Sequence, residues 1–303
     1  MIGSLLVQKL LDQKYHVLAV DNLFKSGDSL LPHVHNPNFE FKYCDITQEK
    51  QVRKVLQDDS IEGIILLAGL VGLKTCNDNP VLSHAVNVDG WRNVMNHKKS
   101  HAKVVAASTG SVYGKVVDGL CDEVHTPTEP LSIYGITKLA GERIVTENGG
   151  TALRFATCAG VSPSMRLNLM PNQLVYEALT NKCISVFEPD NMRTFIDVRD
   201  FTDSLIFFLQ ARMSAWEGVK YNVYNVGSQG GNLTKGQLAE IIKEKTGCVV
   251  NYVNTFTDPD ARNYSVNYAR LEETGFKVKY TAEDMVDSLI KAVPLLDTKA
   301  KYF

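Results

Sequence analysis

Tyr134 and Lys138 stand four residues apart in the stretch Ser132-Ile133-Tyr134-Gly135-Ile136-Thr137-Lys138. Leu139, Ala140 and Ile144 continue an apolar stripe, which Gly141, Glu142 and Arg143 interrupt or oppose, so the segment reads as the start of a helix. A spacing of i and i+4 puts both side chains on one helical face, one turn apart. An ammonium beside a phenol favours the ionised phenol, and a Tyr so placed can exchange a proton with a hydroxyl near neutral pH. A Tyr/Lys pair also arises by chance on exposed helices. Its weight comes from the run upstream, where Lys103-Val104-Val105-Ala106-Ala107-Ser108-Thr109 reads as a buried strand ending in hydroxyls. Gly110-Ser111-Val112-Tyr113-Gly114 then leaves that strand.

The elements needed to hold such a site run through the chain in alternation. Leu5, Leu6, Leu10 and Leu11 form the apolar stripe of a first helix opposite Gln8, Lys9, Asp12 and Gln13. His16 to Asp21 reads as a buried parallel strand ending in an acid. Phe39 to Tyr43 is a second strand and leads to Cys44-Asp45-Ile46, where Asp45 also suits the cap of a helix over Gln51–Leu56. Ile61 to Gly69 is a continuous apolar strand, and the small residues at Ala68 and Gly69 allow close approach of a ligand to the backbone. After Lys138 the helix is expected to run to about Glu147 and stop at Asn148-Gly149-Gly150, with Thr151–Thr157 the next strand. Further strands are expected over Met192–Asp200 and Tyr221–Val226. Further helices are expected from Thr234 to about Lys245 and from Thr281 onward.

This order of motifs resembles the extended short-chain dehydrogenases/reductases, the NAD-dependent sugar-nucleotide epimerases, dehydratases and dehydrogenases. The resemblance implies an α/β fold with a Rossmann-type doubly wound parallel sheet and a smaller C-terminal substrate domain. Residues 1–160 would bind NAD, with a strand and helix returning near 194–227, and 161–303 would mainly bind substrate. In that family the nucleotide turn runs Gly-Gly-x-Gly-x-Ile-Gly-Ser, and Gly3 in Ile2-Gly3-Ser4 matches its last glycine. The chain is accordingly expected to start at an internal Met or to come from a truncated gene. It would then lack the first strand and the first glycines, leaving two sheet edges unpaired.

The site residues follow from the same resemblance. Thr109, Tyr134 and Lys138 would be catalytic. Gly3, Asp21, Asp45, Ile46, Leu67, Ala68 and Gly69 would hold the cofactor with Tyr134 and Lys138. A carboxylate at Asp21 accepts from a ribose 2′-OH and repels a 2′-phosphate, which favours NAD. Asp45 would meet the adenine through its side chain and Ile46 through its backbone, and Asn87 would bridge two central strand ends. Substrate would be held by Thr109, Ser111, Arg166, Arg193 and Arg262. A guanidinium fork suits phosphate oxygens, and two from separate segments suit a diphosphate. Arg166 lies in Ser162-Pro163-Ser164-Met165-Arg166, which resembles a subgroup that includes GDP-manno-heptose C4 oxidases. It reads equally as a solvated loop arginine.

Composition narrows the partners. The 303 residues carry a formal net charge of -2, which gives no electrostatic reason to expect nucleic acid or an anionic membrane. Six scattered cysteines with no Cys-x-x-Cys, and seven histidines without ligand spacing, point to reduced thiols in the cytoplasm and no metal. No apolar run approaches the ~20 residues of a membrane helix. The family resemblance, by contrast, implies a reaction that begins with oxidation at a sugar C4, giving a 4-keto intermediate in a GDP- or UDP-linked sugar, with surface-polysaccharide synthesis as the setting. In the family's 4,6-dehydratases an Asp and a Glu follow the catalytic Thr. Here Gly110 and Ser111 occupy those positions, which argues for a 4-epimerase or C4 dehydrogenase over a dehydratase. A non-catalytic NAD-binding scaffold is the remaining alternative. Helices over Pro80–Lys98 and Ile133–Glu147 would pair two copies into a homodimer.

Overall fold

The computed structural model describes residues 1–211, 222–253 and 263–296, with 115–118 described by backbone alone. The N-terminal elements are α1 (Ile2–Asp12), β1 (Val17–Asp21), β2 (Phe39–Tyr43), α2 (Glu49–Val55) and β3 (Gly63–Leu66). Two short helices follow, α3 (Leu73–Asp78) and α4 (Pro80–His84). A π-helical turn over Ala85–Gly90 then joins α4 to α5 (Trp91–His97). The site-bearing stretch is β4 (Lys103–Thr109), a 3-10 turn over Gly110–Tyr113, β5 (Lys115–Cys121) and α6 (Ile133–Glu147). Next come β6 (Thr151–Phe155), β7 (Thr157–Ala159), α7 (Met170–Thr180), β8 (Cys183–Phe187), β9 (Met192–Asp197) and α8 (Val198–Gln210). The remainder comprises β10 (Val223–Val226), β11 (Asn232–Thr234), α9 (Lys235–Thr246), β12 (Val249–Val253), β13 (Asn263–Val266), α10 (Ala269–Glu273) and α11 (Ala282–Ala292).

The fold is Rossmann-type α/β. Four strands form a parallel sheet in the order β10-β6-β4-β3, and β1 and β2 form a separate parallel pair. Among the described residues β1 and β3 are each hydrogen-bonded on one side only. Parallel strands are covered on both faces, so they read as near-continuous apolar runs. Val104, Val105 and Ala106 of β4 are accordingly all buried. One face packs against α1 and α8 through Leu6, Phe201 and Leu205, and the other against α2, α5 and α6 through Val52, Trp91 and Val145. A third core joins α7, α9 and α11 over β8 and β9, with Leu174, Leu238 and Leu289 at its centre.

Local signals explain the helix ends. Ser132 caps α6 by accepting from the Gly135 N–H at 3.2 Å. Thr234 with Gln237, and Thr281 with Asp284, form reciprocal capping boxes at α9 and α11. Several boundaries differ from the sequence expectation. The strand expected over Met192–Asp200 ends at Asp197, which caps α8 by accepting from the Arg199 N–H, so Val198 to Asp200 are helical. The stretch Thr151–Thr157 is not one strand: the chain changes sheets at Ala156, so β6 lies in the four-stranded sheet and β7 beside β9. Asp45 does not cap α2, whose N-cap is Gln48. Its carboxylate instead closes a turn by accepting from the Thr47 N–H and hydroxyl at 2.9 and 2.8 Å. No helix among the described residues is long and apolar enough to cross a membrane.

Candidate active site

Thr109 ends β4 and caps the turn that follows, accepting from the Ser111 N–H at 3.2 Å and donating to Ser111 Oγ at 3.0 Å. That turn packs on the first turn of α6, where a Cβ on Gly135 would stand 3.1 Å from the Ser111 carbonyl. Tyr134, beside Gly135, is half-buried there. Lys138, one turn on, is buried, and its ammonium donates to the Ala107 carbonyl of β4. Burial drives the Lys138 pKa down to about 7, against the opposing pull of the Glu142 carboxylate and of Cys76. The sequence reading took Lys138 simply as a fixed cation; the structure makes it a group that titrates near neutrality.

Burial lowers the Arg166 pKa, and the charge that Tyr134 and Cys158 can carry works the other way. The loop guanidinium is therefore within electrostatic reach of the candidate catalytic Tyr, and its Nε donates to Asn168 Oδ1 at 3.4 Å. Arg193 is placed differently. It is 4% exposed within β9 and donates to the Met192 carbonyl at 3.0 Å. Arg262 lies outside the described residues.

The candidate cofactor residues fall into two groups. Gly3, in the first turn of α1, faces Leu67, whose Cδ1 would be 3.7 Å from a Cβ on that glycine. No side chain caps α1, and such a helix start presents backbone N–H groups to an anion. At Gly69 a Cβ would stand 3.1 Å from Asn87 Oδ1 and 3.8 Å from Lys138 Nζ, so this loop needs its glycine to run past the ammonium. The second group lies at the ends of β1 and β2. Asp21 is exposed and accepts from the Leu23 N–H at 2.6 Å, while the Asn22 amide donates to Asp45 at 3.3 Å. Burial works against the Asp45 carboxylate, but hydrogen bonds from Thr47 and Asn22 outweigh it and hold its pKa below the aspartate range. Ile46 has its carbonyl engaged by the Asn93 amide at 2.9 Å.

Asn87 corrects a further expectation. It is fully buried and exchanges hydrogen bonds with the Leu70 backbone at 2.8 and 2.9 Å, but its second partner is Thr137 Oγ1 at 3.1 Å. It therefore ties the loop after β3 to α6 itself, between Tyr134 and Lys138, and not to a second strand.

Two features were not found by sequence reasoning. Trp91 is fully buried, with its indole N–H on the Ala68 carbonyl at 2.8 Å and its ring centroid 4.0 Å from Lys138 Nζ. Its place four residues after Asn87, on the same helical face, was the available signal. Behind Lys138, Glu142 accepts from Ser108 Oγ at 2.6 Å and from the Arg154 guanidinium at 2.6 to 3.1 Å. Arg154 continues to the Tyr113 hydroxyl at 3.0 Å, which donates to Asn225 at 2.8 Å. The ion pair is almost wholly buried.

Residues 1–227 match the model of the NAD-dependent epimerase/dehydratase family. The chain belongs to that family. It is an enzyme family of the extended short-chain dehydrogenase/reductase type, and its cofactor is NAD. A putative UDP-glucose 4-epimerase of Methanocaldococcus jannaschii is 28% identical over 81% of this chain and 79% of its own length. The UDP-glucose 4-epimerase of Thermotoga maritima, solved with UDP-glucose, superposes with a TM-score of 0.83 at 22% identity, covering 97% of this chain and 96% of that one. The dTDP-glucose 4,6-dehydratase of Bacillus anthracis, solved with NAD, superposes with a TM-score of 0.80 at 22% identity, covering 100% and 95%.

The residues present fit NAD. The uncapped start of α1 and the bare backbone at Gly69 would take the phosphates and a close-packed ribose, and the exposed Asp21 carboxylate would take a 2′-OH. When bound, NAD supplies a hydride acceptor; proton transfer and orientation fall to the chain's own side chains.

Proposed function

We propose that this chain is a nucleotide-sugar 4-epimerase or C4 oxidoreductase working through a 4-keto sugar. The observation that carries the reading is the meeting of the end of β4, where Thr109 stands, with the helix α6 that carries Tyr134 and Lys138, the Arg166 charge being within electrostatic reach of Tyr134 and Gly110 and Ser111 following Thr109. Tyr134 takes the proton from the C4 hydroxyl, and Thr109 hydrogen-bonds the same oxygen. Lys138 favours the ionised Tyr134. Gly110 has no side chain and Ser111 carries only a hydroxyl already bonded to Thr109, so neither can move the protons of a dehydration. Arg166, with Arg193 and Arg262, would hold the diphosphate and fix which face of the sugar meets the cofactor. The UDP-glucose 4-epimerases among the relatives support a UDP-sugar, and the Ser-Pro-x-Met-Arg run keeps a GDP-sugar in the test.

Residues 1–160 with the return near 194–227 would bind NAD, and the core of α7, α9 and α11 would belong to the substrate domain. Val81, Leu82 and Ile136 are exposed on α4 and α6, which supports pairing of two copies through these helices. Six cysteines without disulfides support a cytoplasmic setting. The deciding experiment offers UDP-glucose, UDP-glucuronate and GDP-mannose to the NAD-loaded chain and identifies the product by NMR. Inverted C4 without net NADH is the epimerase outcome, and a 4-keto product with NADH the dehydrogenase outcome. No product from any sugar contradicts the proposal.

A further inference from the structure

Lys138 sits in a setting that ought to discharge it: it is 3% exposed, at the centre of the fold, and bonded to a neutral carbonyl. The charged or titratable groups facing it are few. Glu142, one turn along α6, is engaged by Arg154 and Ser108, which spends much of its negative field. Cys76 of α3 is buried, and burial raises its thiol pKa, so it stays neutral. Tyr134 lies one turn back along α6. What remains is the face of Trp91, 4.0 Å from Nζ. An indole face attracts a desolvated ammonium more strongly than any other aromatic ring.

The surroundings fix that ring in place. Its N–H is on the Ala68 carbonyl, in the loop that faces the candidate cofactor site. Its six-membered ring occupies space beside Gly141, where a Cβ would come within 2.8 Å of Trp91 Cε3 and 2.4 Å of the Asn87 carbonyl. The glycine in the middle of α6 is thus what lets the indole slide under Lys138, one helical turn from the candidate catalytic Tyr.

We propose that Trp91 is a positioning residue for Lys138: its ring face keeps the ammonium charged and aimed at the site, and its N–H locks the Ala68-Gly69 loop to the same plate. The inference rests on the functional reading above for its catalytic meaning, but the coupling itself concerns two side chains of this chain and can be read without substrate.

The test uses the full chain with its lysines labelled at 13Cε, the Lys138 signal being the one missing from Lys138→Met. In the native protein the ε protons should be displaced upfield by the ring current. That displacement should shrink in Trp91→Phe and vanish in Trp91→Leu. The Lys138 titration midpoint should fall by about one pH unit in Trp91→Leu, with Trp91→Phe in between. If UDP-glucose is turned over, kcat of Trp91→Leu should drop about tenfold well above the native midpoint and approach native only below the variant's own, lower midpoint. An ordinary lysine ε shift in the native protein overturns the proposal, even if Trp91→Leu fails to fold. Equal midpoints in the folded variants, or a kcat loss that is the same at every pH, also overturn it. Absence of turnover bears on the functional reading alone, since the lysine signals are recorded without a sugar.

Discussion

Tyr134 and Lys138 are one helical turn apart, yet their surroundings differ: the phenol is half-buried within electrostatic reach of Arg166 and the ammonium is enclosed. Replacing Tyr134 with Phe removes the proposed proton acceptor and leaves the packing, so turnover should fall by about 10²–10⁴-fold, far more than NAD retention falls. Assays of product and of bound nucleotide on the same preparation check this. Lys138 makes a separate, thermodynamic prediction. Its pKa is about 7 in the fold and 10.5 ordinarily, so between those values the unfolded chain binds more protons than the native one. The site's contribution to stability therefore rises with pH across that window, and its full cost is felt below about pH 7. Lys138→Met should lose this dependence and gain on the native protein as pH falls from 10 to 7. Urea midpoints at several pH values would show it, and parallel curves for the two proteins would contradict it.

At the scale of elements, α6 is held to the sheet by the Glu142–Arg154 pair and to α5 by a close approach at Gly141. Arg154→Met strands a buried carboxylate and should cost about 3–5 kcal/mol in urea unfolding. Adding Glu142→Gln to it should recover part of that loss, because the orphaned charge is gone. Gly141→Ala forces a methyl toward the Asn87 carbonyl and the Trp91 ring and should cost about 1–3 kcal/mol. Much of this was readable in advance. Apolar runs marked β4 and β6, Ser132 and Thr281 marked helix starts, and the spacing of Tyr134 and Lys138 together with the strand and turn upstream marked the candidate pair. The sheet change at Ala156 was not readable, because a run such as Thr151–Thr157 looks the same whether its strand stays in one sheet or crosses to another. The cap offered for Asp45 was misread because one carboxylate suits both a cap and a turn. Trp91 was missed although it stands four residues after Asn87, because that spacing does not say what the ring will meet, and Arg154 was missed because a strand arginine carries no local signature. Their partners lie 47 residues or fewer away along the chain but only one contact away in space.

At the scale of the molecule, the parallel sheet is covered by α1 and α8 on one face and by α2, α5 and α6 on the other, and α7, α9 and α11 form a core of their own. Val81, Leu82 and Ile136 of α4 and α6 are exposed, and the proposed pairing of copies should bury them. Val81→Asp combined with Ile136→Asp should therefore convert a dimer to a monomer in sedimentation velocity, and a native chain that is already monomeric would contradict the pairing. The central claim concerns the reaction, and it is tested most directly by incubating the NAD-loaded chain with UDP-glucose, UDP-glucuronate and GDP-mannose while following NADH absorbance and the C4 configuration of the product. The account predicts a C4-inverted sugar without net NADH, or a 4-keto sugar with NADH in step. A chain that retains NAD yet leaves every sugar unchanged would contradict it.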